Sequence, residues 1–205
     1  MCNLLKVENL NFNYEDKEVL NNFNLSILDN GITVLCGQNG SGKTTFLNIL
    51  SGVIYDENIE GNFFWKGEKT ELSIIRKNIA YAYSNPQLFG GLSGLENIKL
   101  CKNLFQEKDS YVEKCKKMSS MFNIYEDLDR DVLSYSSGMK QKLWLSVILS
   151  RSVSLYLLDE PFNTLDEESV AVLMEILCDR EHTYLVVSHE LPNRISNCSR
   201  IIDIK

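Results

Sequence analysis

Nine consecutive residues, Gly37-Gln38-Asn39-Gly40-Ser41-Gly42-Lys43-Thr44-Thr45, limit what this chain can fold into more than any other stretch of it. They fit the pattern G-x-x-x-x-G-K-[ST] without a mismatch. Four fixed positions match by chance in roughly one chain of this length in a hundred, and the surroundings narrow the reading further. An apolar run (Ile32, Val34, Leu35, Cys36) precedes the stretch, as a strand would. Phe46, Ile49, Leu50 and Val53 follow at i, i+3, i+4 and i+7, which predicts a helix with one buried face. Between the two, glycines at 37, 40 and 42 let the backbone turn several N–H groups toward one anion. The first turn of the helix adds its own free N–H groups and the positive end of its dipole. Lys43 supplies a full charge for β and γ phosphates, and Thr44 a hydroxyl for the Mg²⁺ that arrives with them.

Composition sets the outer bounds. The 205 residues suffice for one domain with a sizeable core, or two small lobes. A net charge of −7 and a pI near 5.0 argue against a general basic surface, so no nucleic-acid partner is expected. No apolar run approaches the ~18 residues that a spanning helix needs, and Met1-Cys2-Asn3-Leu4-Leu5 does not read as a signal peptide. The expectation is a soluble, cytoplasmic chain. Cysteines at 2, 36, 101, 115, 178 and 198 form no C-x-x-C pair and read as reduced thiols, Cys36 as a small buried hydrophobe.

Along the chain, Leu4 to Val7, Glu18 to Leu20 and Phe23 to Ile27 are short apolar runs separated by Asn and Asp, which predicts a small antiparallel sheet with polar turns. Tyr14 falls in one of those turns. Locally it is a partly buried strand-end aromatic; its π face would also suit an adenine ring. Gly61 to Gly67 and Ile79 to Tyr83 read as further strands. From Leu92 to about Leu133 helical spacing takes over, as at Val112, Cys115, Ser119 and Phe122, and predicts a helical lobe inserted into the core. Five of the six residues from Trp144 to Leu149 are apolar, the mark of a deeply packed helix. Leu155 to Leu158 and Tyr184 to Val187 are continuous apolar strands, with Val170, Leu173, Met174 and Leu177 striping the helix between them. Strands alternating with helices imply a parallel sheet, whose ligands bind beyond the carboxyl ends of the strands. Gly37, Asp159 and His189 all stand at such ends.

Asp159 and Glu160 leave their strand tip in different directions. One can hold Mg²⁺ through water while the other meets a water near the γ phosphate. Beside a phosphate loop this reading outweighs a pair of solvated acids.

These residues together resemble the ATP-binding cassette ATPases. Tyr14 looks like the adenine-stacking aromatic and residues 37 to 45 like Walker A. Tyr135-Ser136-Ser137-Gly138-Met139 is similar to the LSGGQ signature, Leu155 to Glu160 to Walker B with its catalytic glutamate. Asn163-Thr164-Leu165-Asp166 is similar to the D-loop and His189 to the switch histidine. The matches keep the family's order and span residues 14 to 189. The resemblance implies an α/β phosphate-loop NTPase with a RecA-like parallel-sheet core, an N-terminal antiparallel β subdomain and an inserted α-helical subdomain. In residue terms the expected division is 1–91 and 145–205 for the core and 92–144 for the helices. It implies Mg²⁺ with ATP as substrate, Glu160 and His189 as catalytic residues, and Thr44 and Asp159 at the metal. It also implies head-to-tail pairing, as homodimer or heterodimer, in which Ser136, Gly138 and Asp166 act across the interface. On local grounds Ser136 or Ser137 is a helix N-cap, and both readings can hold.

This sequence departs from the family's pattern at three points. Ser84 stands where a glutamine usually touches the metal and the attacking water; its shorter side chain would reach the metal through a water, or Asn85 or Gln87 would substitute for it. Ser137 and Met139 replace the usual Gly and Gln. Ser-x-Gly-Met followed by Lys-Gln resembles exporter cassettes. The resemblance thus implies an ATPase subunit at the cytoplasmic face of the membrane, powering an exporter whose integral membrane subunit is a separate chain. The alternatives are a soluble cassette, as in iron–sulfur assembly, and a nucleotide-gated switch with little turnover.

Overall fold

The computed structural model describes residues 3–15, 17–179, 181–189, 192, 195 and 199–204. Cys2 and Cys198 lie outside them. Two compact units separate: residues 1–81, 153–160 and 177–205 form one, residues 82–152 and 161–176 the other.

The first unit begins with a long hairpin of β1 (Asn3–Tyr14) and β2 (Lys17–Leu28). The sequence suggests short strands broken by turns; the structure has two strands of 12 residues instead. The interrupting asparagines are absorbed as bulges. Asn9 (φ 53°) and Asn22 (φ 46°) adopt the left-handed conformation that Asn tolerates better than most residues. Their N–H groups donate to Asn24 Oδ1 (3.0 Å) and Asn11 Oδ1 (2.7 Å), so the side chains complete the ladder that the bulges interrupt. Tyr14 is accordingly the last residue of a strand rather than part of a turn.

β3 (Gly31–Gly37) follows, and α1 (Lys43–Ser51) after the phosphate loop. α1 buries Phe46, Leu47, Ile49 and Leu50, but Gly52 stops it, its N–H turning back to Asn48 O and Ile49 O. Val53, expected on the buried stripe, is therefore outside the helix and 51% exposed. β4 (Glu60–Trp65) and β5 (Glu68–Thr70) complete an antiparallel sheet in the order β2-β1-β4-β5. The short α2 (Leu72–Arg76) leads to β6 (Ile79–Ala82).

Three long helices of the second unit come next: α3 (Gly94–Leu104), α4 (Ser110–Met121) and α5 (Ser137–Leu149). In α4 it is Tyr111, not Val112, that is buried with Cys115 and Ser119. Its hydroxyl donates to Val147 O at 2.8 Å, which turns that side of the helix onto α5. α5 buries Gln141 and every residue from Leu143 to Leu149, as an all-round apolar helix must. Residues 82–91, 145–152 and 161–176 group with the helices, a larger unit than 92–144.

The chain re-enters the first unit at β7 (Leu155–Asp159), returns to the second for most of α6 (Glu167–Cys178), and comes back to the first for β8 (Thr183–Val187) and β9 (Ser199–Ile204). These give a five-stranded sheet in the order β6-β7-β8-β3-β9, with β3 parallel to both neighbours and β7 parallel to β8. β7 and β8 are buried along their whole lengths, the continuous apolar pattern of a covered parallel sheet. The expected α/β fold, with its antiparallel N-terminal sheet and helical unit, is the fold observed. Cys36 is half-buried rather than buried, because it stands at the exit of β3. Burial pushes the Cys101 and Cys115 thiols up to about 11, which leaves both protonated and inert.

Candidate functional site

Sheet register assembles the site. Leu35 of β3 and Asp159 of β7 both pair with Val187 of β8, so the three parallel strands finish at nearly one level. At or just past those ends are Gly37, Glu160 and Ser188-His189, brought together although 152 positions separate the first from the last.

The loop from Gly37 opens into α1 at Gly42, a position with no side chain to cap the helix. Gly42 has a φ of 91°, and a Cβ there would lie 2.8 Å from Leu20 Cδ2 and 3.0 Å from Val19 O of β2. Backbone conformation and close packing thus both demand glycine. Lys43 is 5% exposed, and its Nζ donates to Gly37 O (2.7 Å), Gln38 O (2.7 Å) and Ser41 Oγ (3.3 Å). The ammonium is folded back into the loop that it serves. Gln38, Asn39, Gly40 and Thr44 are exposed at its mouth, with Ser41 and Thr45 half-buried.

Asp159 is 3% exposed, and its Oδ2 accepts from Thr44 Oγ1 (3.3 Å) and Tyr81 Oη (3.4 Å). Burial, aided by the neighbouring Glu160, raises its pKa above the ordinary carboxylate value; the two hydroxyls and Lys43 only partly offset this. A buried carboxylate with two long bonds from neutral donors, next to a threonine hydroxyl, is a donor set that fits a hard divalent cation. Glu160 lies one residue beyond β7 with a φ of 48°, its N–H donating to Val187 O at 2.8 Å. Its Oε2 accepts from Ser188 Oγ (3.2 Å) and the His189 N–H (3.3 Å), and its Oε1 is 3.3 Å from His189 Nε2. The two adjacent carboxylates therefore face different company, one hydroxyls and a lysine, the other a serine and a histidine.

In the second unit, Ser136 is exposed and caps α5, its Oγ accepting from the Met139 N–H at 3.2 Å. The helix thus starts as expected of an N-cap serine. A Cβ on Gly138 would lie 2.8 Å from Thr164 O, so the start of α5 is in close contact with the 163–166 segment, whose Thr164 has a φ of 65°. Asp166 accepts from Lys142 Nζ (2.7 Å) and from the Ser169 N–H (2.8 Å), and these bonds hold its carboxyl well below the usual range. The structure joins Gly138, Thr164, Lys142 and Asp166 in one cluster beside the cap.

Two expected site residues stand apart from these contacts. Tyr14 is 46% exposed, edge-on to Phe12 at 4.9 Å, and lines a groove of ≈850 Å³ with Tyr55, Asn58 and Glu60. Ser84 is exposed two residues past β6 and belongs to the unit with the helices. Sequence reasoning gave no role to Tyr81 or Ser188. Tyr81 reads as one more residue of an apolar strand and Ser188 as the end of one, and only the sheet order puts Tyr81 beside Asp159 and Ser188 beside Glu160.

The ABC transporter family profile matches residues 20–163. The chain is 30% identical over 204 residues to the phosphate import ATP-binding protein PstB of Borreliella burgdorferi, covering 92% of this chain and 78% of that one. It is 32% identical over 174 residues to the lantibiotic transport ATP-binding protein SrtF of Streptococcus pyogenes, covering 85% and 73%. A solved ATP-binding subunit of an ABC transporter superposes with a TM-score of 0.86 at 23% identity, over 98% of this chain and 85% of that chain, a likeness of fold.

Proposed function

The chain belongs to the ABC transporter family and is an ATP hydrolase of that type, and from this premise we propose that it pairs head to tail to power an exporter whose membrane subunit is a separate chain. The observation that carries the reading is the common end of β3, β7 and β8, where a buried ammonium, a buried carboxylate and a second carboxylate follow one another across the sheet.

In this reading residues 37 to 45 cradle the phosphates of ATP through backbone N–H groups and the Lys43 charge. Tyr14 stacks on the adenine. Thr44 and Asp159 would hold Mg²⁺. The ion, when bound, neutralises charge that develops on the phosphate oxygens. Glu160 takes the proton of the water that attacks the γ phosphorus, the bond from that phosphorus to the β–γ bridging oxygen breaks, and ADP and inorganic phosphate leave. His189, 3.3 Å from Glu160 Oε1, orients that carboxylate and the γ phosphate.

Support for pairing comes from what the second unit offers. Ser136 and Gly138 begin a helix whose N-terminal N–H groups suit an anion, and the γ phosphate bound by a second copy supplies one. Asp166 acts at the same interface. No helix among the described residues is long and apolar enough to cross a membrane, which is consistent with a peripheral subunit at the cytoplasmic face. Export is supported by the Ser-x-Gly-Met-Lys-Gln sequence at 136–141 and by the similarity to SrtF. Import is the second reading, supported by the similarity to PstB over more of the chain. Vesicles containing the captured membrane partner decide between them, by ATP-driven loss or gain of solute.

The test of the pairing is the solution mass of the Glu160→Gln protein, by light scattering after size exclusion. Turnover should fall by about 10²–10⁴-fold, trapping the bound state. A rise from the 23.5 kDa monomer to twice that mass only with Mg-ATP supports the composite site. A monomer under all conditions counts against self-pairing.

A further inference from the structure

We propose that Ser188 is a positioning residue for Glu160, fixing which of its two carboxylate oxygens receives the proton of the attacking water. The inference rests on the reading of Glu160 as the general base. A carboxylate at a strand tip can rotate about its side-chain bonds, and a base that rotates presents its lone pairs to the water only part of the time. Here the backbone is already fixed: the Glu160 N–H is bonded to Val187 O at 2.8 Å, with φ held at 48°. Register then places Ser188, the residue after Val187, beside Glu160, the residue after Asp159.

Ser188 is 1% exposed, so its hydroxyl exchanges little with solvent. It donates to Oε2 at 3.2 Å, and the His189 N–H donates to the same oxygen at 3.3 Å. Both donors fall on one oxygen. Oε1 is buried and accepts no hydrogen bond among the described residues, although His189 Nε2 is 3.3 Å away. Of two carboxylate oxygens, the one that already accepts two hydrogen bonds is the poorer proton acceptor. Ser188 therefore divides the carboxylate into a held oxygen and a reactive one. The backbone N–H of His189 is present whatever the side chains, so the serine hydroxyl is the part of this arrangement that mutation can remove.

Steady-state phosphate release and equilibrium binding of ATP, measured on wild type, Ser188→Ala, Ser188→Thr, Glu160→Gln and the Ser188→Ala/Glu160→Gln double variant, test this. Ser188→Ala should lower kcat about tenfold with KM and ATP affinity within about twofold of wild type. Ser188→Thr, which keeps the hydroxyl, should recover most of the rate. In the Glu160→Gln background the same Ser188→Ala change should alter the residual rate by less than about twofold, because a residue that acts through Glu160 has nothing left to position. A full rate in Ser188→Ala, a threonine variant as slow as the alanine one, or an equal loss in both backgrounds overturns the proposal. A full rate in Glu160→Gln overturns the assignment of the base itself, and is distinguished from failure of the serine alone by that single variant.

Discussion

The strand tips of the first unit and the helix start of the second both offer polar groups to a phosphate, yet they stand in opposite states of completion. At the strand tips, Lys43 and Asp159 are almost wholly buried and have to be partnered by the protein itself. Lys43 is, by three loop oxygens; Asp159 is only partly, by two hydroxyls. At the start of α5, Ser136 and Asp166 face water, and each already has local bonds that a helix or a surface loop would make in any protein. Buried groups tie function to stability, because whatever satisfies them also holds the fold. Exposed ones leave the two separable. In the proposed function the first region would be a binding site in its own right, the second half of one.

The sharpest way to break that contrast is Lys43→Ala. It should weaken ATP binding by about a hundredfold or more, as expected for a buried charge-assisted contact, and calorimetric titration of the single chain would detect it. Affinity near wild type would mean that the strand tips are no more complete than the helix start. Next is Gly138→Ala, whose methyl meets Thr164 O at 2.8 Å. It should cost about 1–3 kcal/mol in urea unfolding and most of the turnover, while ATP affinity of the monomer stays within about twofold. Ser136→Ala should cost about 1 kcal/mol through the lost cap and slow hydrolysis, again with unchanged monomer affinity. A fall in that affinity would show that Ser136 serves its own chain's nucleotide.

The smallest effect is on Asp159. Burial raises its pKa, so the folded chain holds a proton there more readily than the unfolded chain does. The stabilisation from protonation is complete below the unfolded value of about 3.9, and is lost as pH rises through the higher folded value. At neutral pH the charged, buried group is a net burden. Asp159→Asn should therefore melt a few degrees higher than wild type at pH 7, with the gap closing as the solution is acidified, and should be inactive. Scanning calorimetry across pH checks both parts; a variant that melts lower at pH 7 would place Asp159 among the fully satisfied groups.

The phosphate loop and the Asp159-Glu160 pair were legible because their chemistry is local in sequence: a glycine-rich run after one strand, two acids after another. Ser136 as a helix cap was legible for the same reason. What sequence withholds is lateral. Tyr81 and Ser188 gain their partners from strand order and register, which no run of neighbours encodes. The hairpin misled in another way, since bulges built from Asn9 and Asn22 look like turns when their cross-strand acceptors, Asn24 and Asn11, are not yet known to lie opposite. At Val53 the helical period continued past Gly52 while the helix did not; the glycine was the stronger signal.

The ammonium of Lys43 is anchored by the loop's own Gly37 O, Gln38 O and Ser41 Oγ. A lysine stem ordered in advance has already given up the rotamer freedom that binding would otherwise remove, about 0.5–1.5 kcal/mol for such a side chain. An incoming phosphate has only to replace neutral acceptors around a charge that is already in position. In time, this means capture without a slow loop rearrangement: nucleotide association should rise linearly with concentration in a single phase, and in the proposed pairing any delay in the cycle would belong to the later meeting of two chains.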